Sequence, residues 1–308
     1  MKPPVFWTLW WFGILVCLTP ALAFWQTRDS TYNLVATGGF SASCSQSAAY
    51  IAATSLDATH KTAIDTLICG RVTSGVFAKL DVWNMLATTN AADARVNMVT
   101  PGTHDTTLIS TPTFTADRGY TGVDASTTIA LDTNFNPSTA GGHYTLNAAH
   151  FSLWSNTNNF NPANSDVDMG IVDGSTPVAT YISAGLSAAS AGNSALAVNA
   201  NAFPSGNTQT DTLGHYLITR PNATGDIGYK NAVAISGFMG KGATTAMTNL
   251  DFYVLASNTL GSGVTNGSPR QIMTFSIGGD LSGANITDLC HATNVYLTTI
   301  AGVSGGIC

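Results

Sequence analysis

Asp166-Val167-Asp168 places two carboxylates two residues apart in a stretch that turns strand-like. On a strand that spacing puts both on one face, roughly 7 Å apart. Inverting glycosidases hold their acid and base about 6.5–9.5 Å apart, and retaining ones about 5–5.5 Å. The pair, with Asp173 nearby, suits Asp-based inverting hydrolysis; it equally suits an acidic turn leading into a strand. All 17 acidic residues are aspartate and glutamate is absent, so any such pair must be built from aspartates. Other catalytic patterns fail on spacing. "GFSAS" and "GVSGG" miss the nucleophile elbow, and "GFMGKGATT" has Gly242 where a phosphate loop needs Ser or Thr after Lys241. The expectation is a protein without catalytic machinery.

Binding chemistry is better represented. "HFSLWSNTNNFNPANSDVD", residues 150–168, mixes an aromatic platform with amides that could fix sugar hydroxyls. Alternation puts Phe151 and Leu153 on one strand face and His150, Ser152 and Trp154 on the other. With the first pair in the core, Trp154 is expected on a solvent-facing or concave surface. Asn156, Asn158, Asn159 and Phe160 follow in a loop, completing a candidate glycan site with His150 and Trp154. The blander reading gives Trp154 a second packing layer and the asparagines turns. Asn164, Asp166, Asp168 and Asp173 supply the oxygen ligands that calcium takes, although the EF-hand pattern is not met. No other cofactor is implied. Arg118, in "ADRGY", is read as a turn anchor through carbonyls or Asp117, and His60 as a satisfied core histidine.

The start of the chain reads as an export signal, with an uncleaved membrane anchor as the alternative. Lys2, the apolar run Val5 to Leu18 and Ala21-Leu22-Ala23 make a secretory signal with cleavage expected before Phe24. The protein is then secreted, periplasmic or cell-surface, with no membrane segment after cleavage. Cys44, Cys69, Cys290 and Cys308 remain, an even number that suggests two disulfides. Two short antiparallel helices would bring Cys44 beside Cys69 and leave Cys290 with Cys308; Cys69 with Cys290 is the alternative. Without a Cys-x-x-Cys pair, zinc is not expected. Charged residues are only 9% of the chain, against about 25% in typical domains. A formal net charge of −6 without a Lys/Arg cluster argues against nucleic acid.

The elements that must position these groups can be read from periodicity. Cys44 to Ala53 reads as a short helix. A second starts at Ser55, carries the stripe Leu56, His60, Ile64, Leu67, Ile68 and Val72, and stops at Gly75. From Ala78 the pattern becomes short β-branched and aromatic runs between Gly, Asn, Pro and Ser turns. These runs include Ala149 to Trp154, Asp168 to Val172, His215 to Arg220 and Gln271 to Ile277, the signature of an antiparallel sandwich or jelly roll. Near the end, Gly278-Gly279 breaks a strand and Ser282 caps a helix presenting Ile286, Leu289, Cys290, Thr293 and Leu297. That helix should pack on the sandwich or on the N-terminal hairpin.

"FTADRGYTG", "ALDTNFNPSTAGGHYTLNAAHFSLW", "FYVLAS" and "RQIMTFSIGGDLSGANITDL" together resemble concanavalin A-like (laminin G-like) jelly-roll domains. "SLDATHKTAIDTLICGRVTSGVFAKLDVWNMLAT" is similar to the same set, in its uncharacterised bacterial and bacteriophage form. The resemblance spans about Cys44 to Gly302 and implies two curved antiparallel sheets. Glycosidases of this fold use paired glutamates, which this chain lacks. The expected organisation is a signal peptide over 1–23, an arm and helical hairpin over 24–77, and a jelly-roll domain over 78–308. The fold class is mainly β, a two-sheet antiparallel sandwich with an N-terminal helical hairpin and a C-terminal helix. The expected function is a lectin-like or adhesive module for a glycan or cell-surface polysaccharide. A phage structural or host-recognition protein and an Asp-dependent glycoside hydrolase are the alternatives.

Overall fold

Along the strand Ala149–Ser155, Phe151 and Leu153 point into one buried cluster while Trp154 belongs to another. That division explains the architecture, because one sheet has apolar side chains on both faces and so must be covered twice. In the computed structural model the described residues are 40–160, 166–173, 178–185, 193–201, 207–236, 238, 240–243, 246–260, 262–303 and 308. Residues 40–308 form one compact unit. The segments expected to be a signal peptide and an arm to Gly39, together with Asn164 and the side chain of Asp173, lie outside the described residues.

The first sheet runs Val233–Ala234, Gly225–Lys230, Gly214–Asn222, Ala149–Ser155, Gln271–Gly278, Gly119–Thr121, Thr113–Thr115. Leu80–Met85 also pairs with Gln271–Gly278, through Thr274 to Gly278, while Gly119–Thr121 takes Gln271 and Ile272. The second sheet runs Asn207–Thr208, Asn193–Ala200, Val178–Ser183, Met169–Asp173, Tyr253–Val254, Ala130–Asp132, Thr107–Ile109. Almost every ladder is antiparallel. Among the described residues the exception is Ser257–Thr259, which lies parallel to Met169–Asp173. Between the sheets, Phe151, Leu153, Tyr216, Ile218, Phe275 and Ile277 meet Met169, Ile171, Ile182, Leu196 and Val198. The structure is thus the two-sheet, mainly β sandwich with helices that the alternation implied.

Three helices cover the outer face of the first sheet: α1 (Ser45–Ala52), α2 (Ala58–Ser74) and α3 (Gly283–Ala301). Tyr50, Ile64, Ile68, Ile286, Leu289 and Leu297 descend from them onto Trp83, Met85, Trp154, Leu217 and Met273. Asp57 caps α2 by accepting from the His60 N–H at 2.9 Å, and Gly75 ends it at φ 78°. The helix therefore begins later than the expected Ser55. The Asp93 carboxylate has taken the Ser55 N–H and hydroxyl, which holds that residue in the preceding turn. Ser282 caps α3 in a reciprocal pair with Asn285, and the expected apolar stripe is buried. Disulfides join Cys44 to Cys69 and Cys290 to Cys308, the first fastening α1 to α2 and the second tying the C-terminus to α3. An oxidising compartment suits both. Among the described residues no helix is long and apolar enough to cross a membrane.

Candidate functional site

The helical layer changes the expected position of the aromatic platform. Trp154 is 1% exposed and His150 fully buried, so neither lies on an open face. His150 is held by the Gly279 carbonyl and Ser276 Oγ, and burial pushes its imidazole down to about 4. His215, whose ring centroid lies 6.0 Å from that of Trp154, is pushed to about 3, by burial first and then by His150. These rings are neutral packing elements at ordinary pH. Amphipathic alternation reported the face of Trp154 correctly, but it could not report that helices distant in sequence cover that face.

The asparagine loop that follows is occupied with internal bonds. Asn156 donates to Gln271 Oε1 at 2.8 Å, and Asn158 Oδ1 accepts the Thr212 N–H at 3.2 Å. The Asn159 N–H donates to Thr212 Oγ1, while its carbonyl accepts Arg270 Nε at 3.0 Å and Nη2 at 2.9 Å. Phe160 continues this loop towards Gly185 rather than towards Trp154. His150, Asn158, Asn159 and Phe160 therefore do not converge with Trp154 on one surface.

Arg270 organises the aspartates as well. Its Nη1 lies 2.9 Å from Asp168 and its Nη2 3.8 Å from Asp166, with all three side chains fully buried. Asp168 spends both oxygens, on Ser268 Oγ, Arg270 and the Ala184 N–H. Asp166 meets Arg270 only at 3.8 Å and shares a side-chain hydrogen bond with Asp124. Burial, partly opposed by Arg270 and reinforced by Asp168 and Asp124, raises its carboxyl to about 7. The two described members of the calcium set are thus gathered round a guanidinium, which disfavours a second cation at the same point. A guanidinium buried against acceptors on three separate segments is a structural clamp. No local sequence pattern announces Arg270, because its partners lie about a hundred residues away.

Only Trp154 and Asn156 of the expected glycan residues share an opening. They line a hollow of about 220 Å³ with Arg118, Ser155, Leu213, Gly214, Gly302 and Val303. Each wall has a local cause. The strand Ala149–Ser155 delivers Trp154 and Ser155, and its neighbour starts opposite, with Gly214 paired to Ser155. Gly214 has φ +99°, and a Cβ there would come within 2.2 Å of Asn231 Oδ1, so the wall stays bare backbone. The turn before Gly119–Thr121 supplies Arg118. Gly119 presses against the Ile272 carbonyl, where a Cβ would approach to 2.1 Å, and this fixes the turn at the sheet edge. The left-handed C-cap of α3 contributes Gly302 and Val303.

Arg118 does not anchor its turn as expected. Asp117 turns its carboxylate to His60 Nε2, at 3.0 Å, and His60 is also held by Asp57. Among the described residues the Arg118 guanidinium makes no hydrogen bond or ion pair. Arg71, Arg95, Arg220 and Arg270 each donate to a named acceptor. The hollow combines aliphatic walls over a buried indole, an amide, and a planar cation without a partner among the described residues. Such a mixture suits a small polar ligand with an apolar face.

No protein-family model and no curated protein sequence matches the chain. Among solved structures, Trypanosoma rangeli sialidase in complex with sialic acid is similar at 12% identity and a TM-score of 0.50. That match covers 71% of this chain and 34% of the sialidase. Domain 4 of AbnA, a GH43 extracellular arabinanase from Geobacillus stearothermophilus in complex with arabinotriose, is similar at 16% identity. It covers 69% of this chain and 98% of that one, with a TM-score of 0.37. The botulinum neurotoxin serotype D binding domain gives 12% identity, 71% and 52% coverage, and a TM-score of 0.46. The chain spans about a third of the length of the sialidase it matches, and the likeness is one of fold.

Proposed function

We propose that this protein is an exported, non-catalytic carbohydrate-binding module that takes one sugar residue of a glycan in the Trp154–Arg118 hollow. The observation that carries this reading is the lining itself: apolar Leu213 and Val303 over the buried Trp154, with Asn156 and Arg118 as its polar side. Its volume of about 220 Å³ is below the ~300–1,000 Å³ usual for drug-sized ligands, so a single ring is the natural occupant. The sialidase of similar fold was solved with sialic acid, which accords with a sugar ligand here. The non-catalytic part is supported by the burial of Asp166 and Asp168 round Arg270, away from any opening described above.

A glycan array probed with the secreted protein, with and without chelator, tests the proposal. Binding to a defined glycan class, weakened by Asn156→Ala and by Leu213→Ala, is expected. Absence of binding across the array would remove the reading. Turnover of a polysaccharide that survives in the wild type and disappears in Asp168→Asn would return the hydrolase alternative.

A further inference from the structure

We infer that the hollow selects an acidic sugar, one whose carboxylate pairs with Arg118; this rests on the glycan-binding reading above. Arg118 is the one charged side chain in the lining. Two carboxylates near lining residues in the chain are committed elsewhere. Asp117 binds His60 at 3.0 Å, and Asp211, two residues before Leu213, binds Lys230 at 2.8 Å. The fork of Arg118 is half-buried and makes no hydrogen bond or ion pair among the described residues, whereas the other described arginines donate to carboxylates or carbonyls of the protein. A guanidinium matches a carboxylate through two parallel N–H donations, a stronger and more directional contact than a neutral hydroxyl makes. Lysine cannot reproduce the planar fork. The half-buried Asn156, whose Nδ2 donates to Gln271, and the bare backbone at Gly214 border the same opening on the side where ring hydroxyls would lie.

An alternative role for Arg118 is structural: it faces Gly302 and Val303 at the end of α3, where a cation complements the helix dipole. The experiment separates the two. Affinity is measured for glycans ending in sialic, glucuronic or galacturonic acid, each against its carboxyl-reduced counterpart, for the wild type, Arg118→Ala and Arg118→Lys. Inorganic phosphate and sulfate serve as competitors at matched ionic strength. The expected result is about tenfold or more preference for the acid form in the wild type. That preference should shrink to about twofold in Arg118→Ala and stay reduced in Arg118→Lys, with thermal unfolding of all three nearly unchanged. Equal binding of acid and reduced forms would overturn the acidic-sugar assignment while leaving the glycan reading standing. Binding of neither form would remove the glycan reading itself. Competition by phosphate as effective as by the acid glycan would show a bare anion site and overturn sugar recognition. A large loss of stability in Arg118→Ala with preference retained would make Arg118 structural.

Discussion

Asp166→Asn should make this protein more stable at neutral and alkaline pH. Asp166 is fully buried, lies 3.8 Å from Arg270, and shares a side-chain hydrogen bond with Asp124 that favours its protonated form. Its carboxyl titrates near 7 in the fold against 3.8 in the unfolded chain. Between those values the folded state holds a proton that the unfolded state has lost, so stability falls as pH rises. A displacement of about 3 pH units at ~1.36 kcal/mol per unit comes to about 4 kcal/mol, complete above pH 7. Asparagine has the shape of the protonated acid and cannot ionise. Denaturant unfolding of both proteins from pH 4 to 8.5 gives the difference curve, in which the titrations of other groups cancel. The difference should be close to zero at pH 4, grow with a slope of about one proton, and level off in favour of the variant above pH 7. A flat curve would refute the reasoning. A variant less stable at pH 8 would show that Asp166 is ionised and satisfied in the fold. Loss of the effect only when calcium is added would identify a cation as the missing partner.

Asp168→Asn should behave oppositely, losing about 3–5 kcal/mol at pH 7, because it leaves the buried Arg270 without its short-range counter-ion; urea titration measures this. His215→Phe should gain stability in acid. The unfolded histidine protonates below about 6.5 while the folded ring stays neutral to about 3, so the wild type loses stability as pH falls through that window. At pH 4.5 the variant's advantage, relative to pH 8, should be about 2–3 kcal/mol, and a pH-independent difference would contradict the assignment. Trp154→Ala should cost about 3–5 kcal/mol, as expected of a core aromatic. A cost within about 0.5 kcal/mol would place the indole at the surface instead. Replacing Cys44 and Cys69 together by serine should lower stability by about 3 kcal/mol for a loop of 25 residues, measured against the oxidised protein.

Local rules in the chain determined its elements and much of its stapling. Alternation in Ala149–Ser155 and Gln271–Gly278 assigned each side chain to a face, because the pleat repeats every two residues. The stripe through His60, Ile64 and Ile68 and the cap at Ser282 located α2 and α3, because helical neighbours recur every three or four residues. Two short helices in succession brought Cys44 to Cys69 by chain geometry alone. Strands of three residues such as Thr113–Thr115 and Gly263–Thr265 were not legible, being too short to alternate.

Tertiary structure decided what the faces meet. Trp154 and His150 sit on the face that alternation assigned them, yet helices from both ends of the chain cover it. Arg270 draws Asn159, Gly185 and Asp168 to one point, which turns apparent ligands and catalytic acids into a clamp. The hollow itself joins residues near positions 118, 155, 214 and 302. Such sites depend on contacts between segments far apart in the chain, and hydrophobic burial, which is nearly blind to sequence separation, selects those contacts only when the whole chain packs.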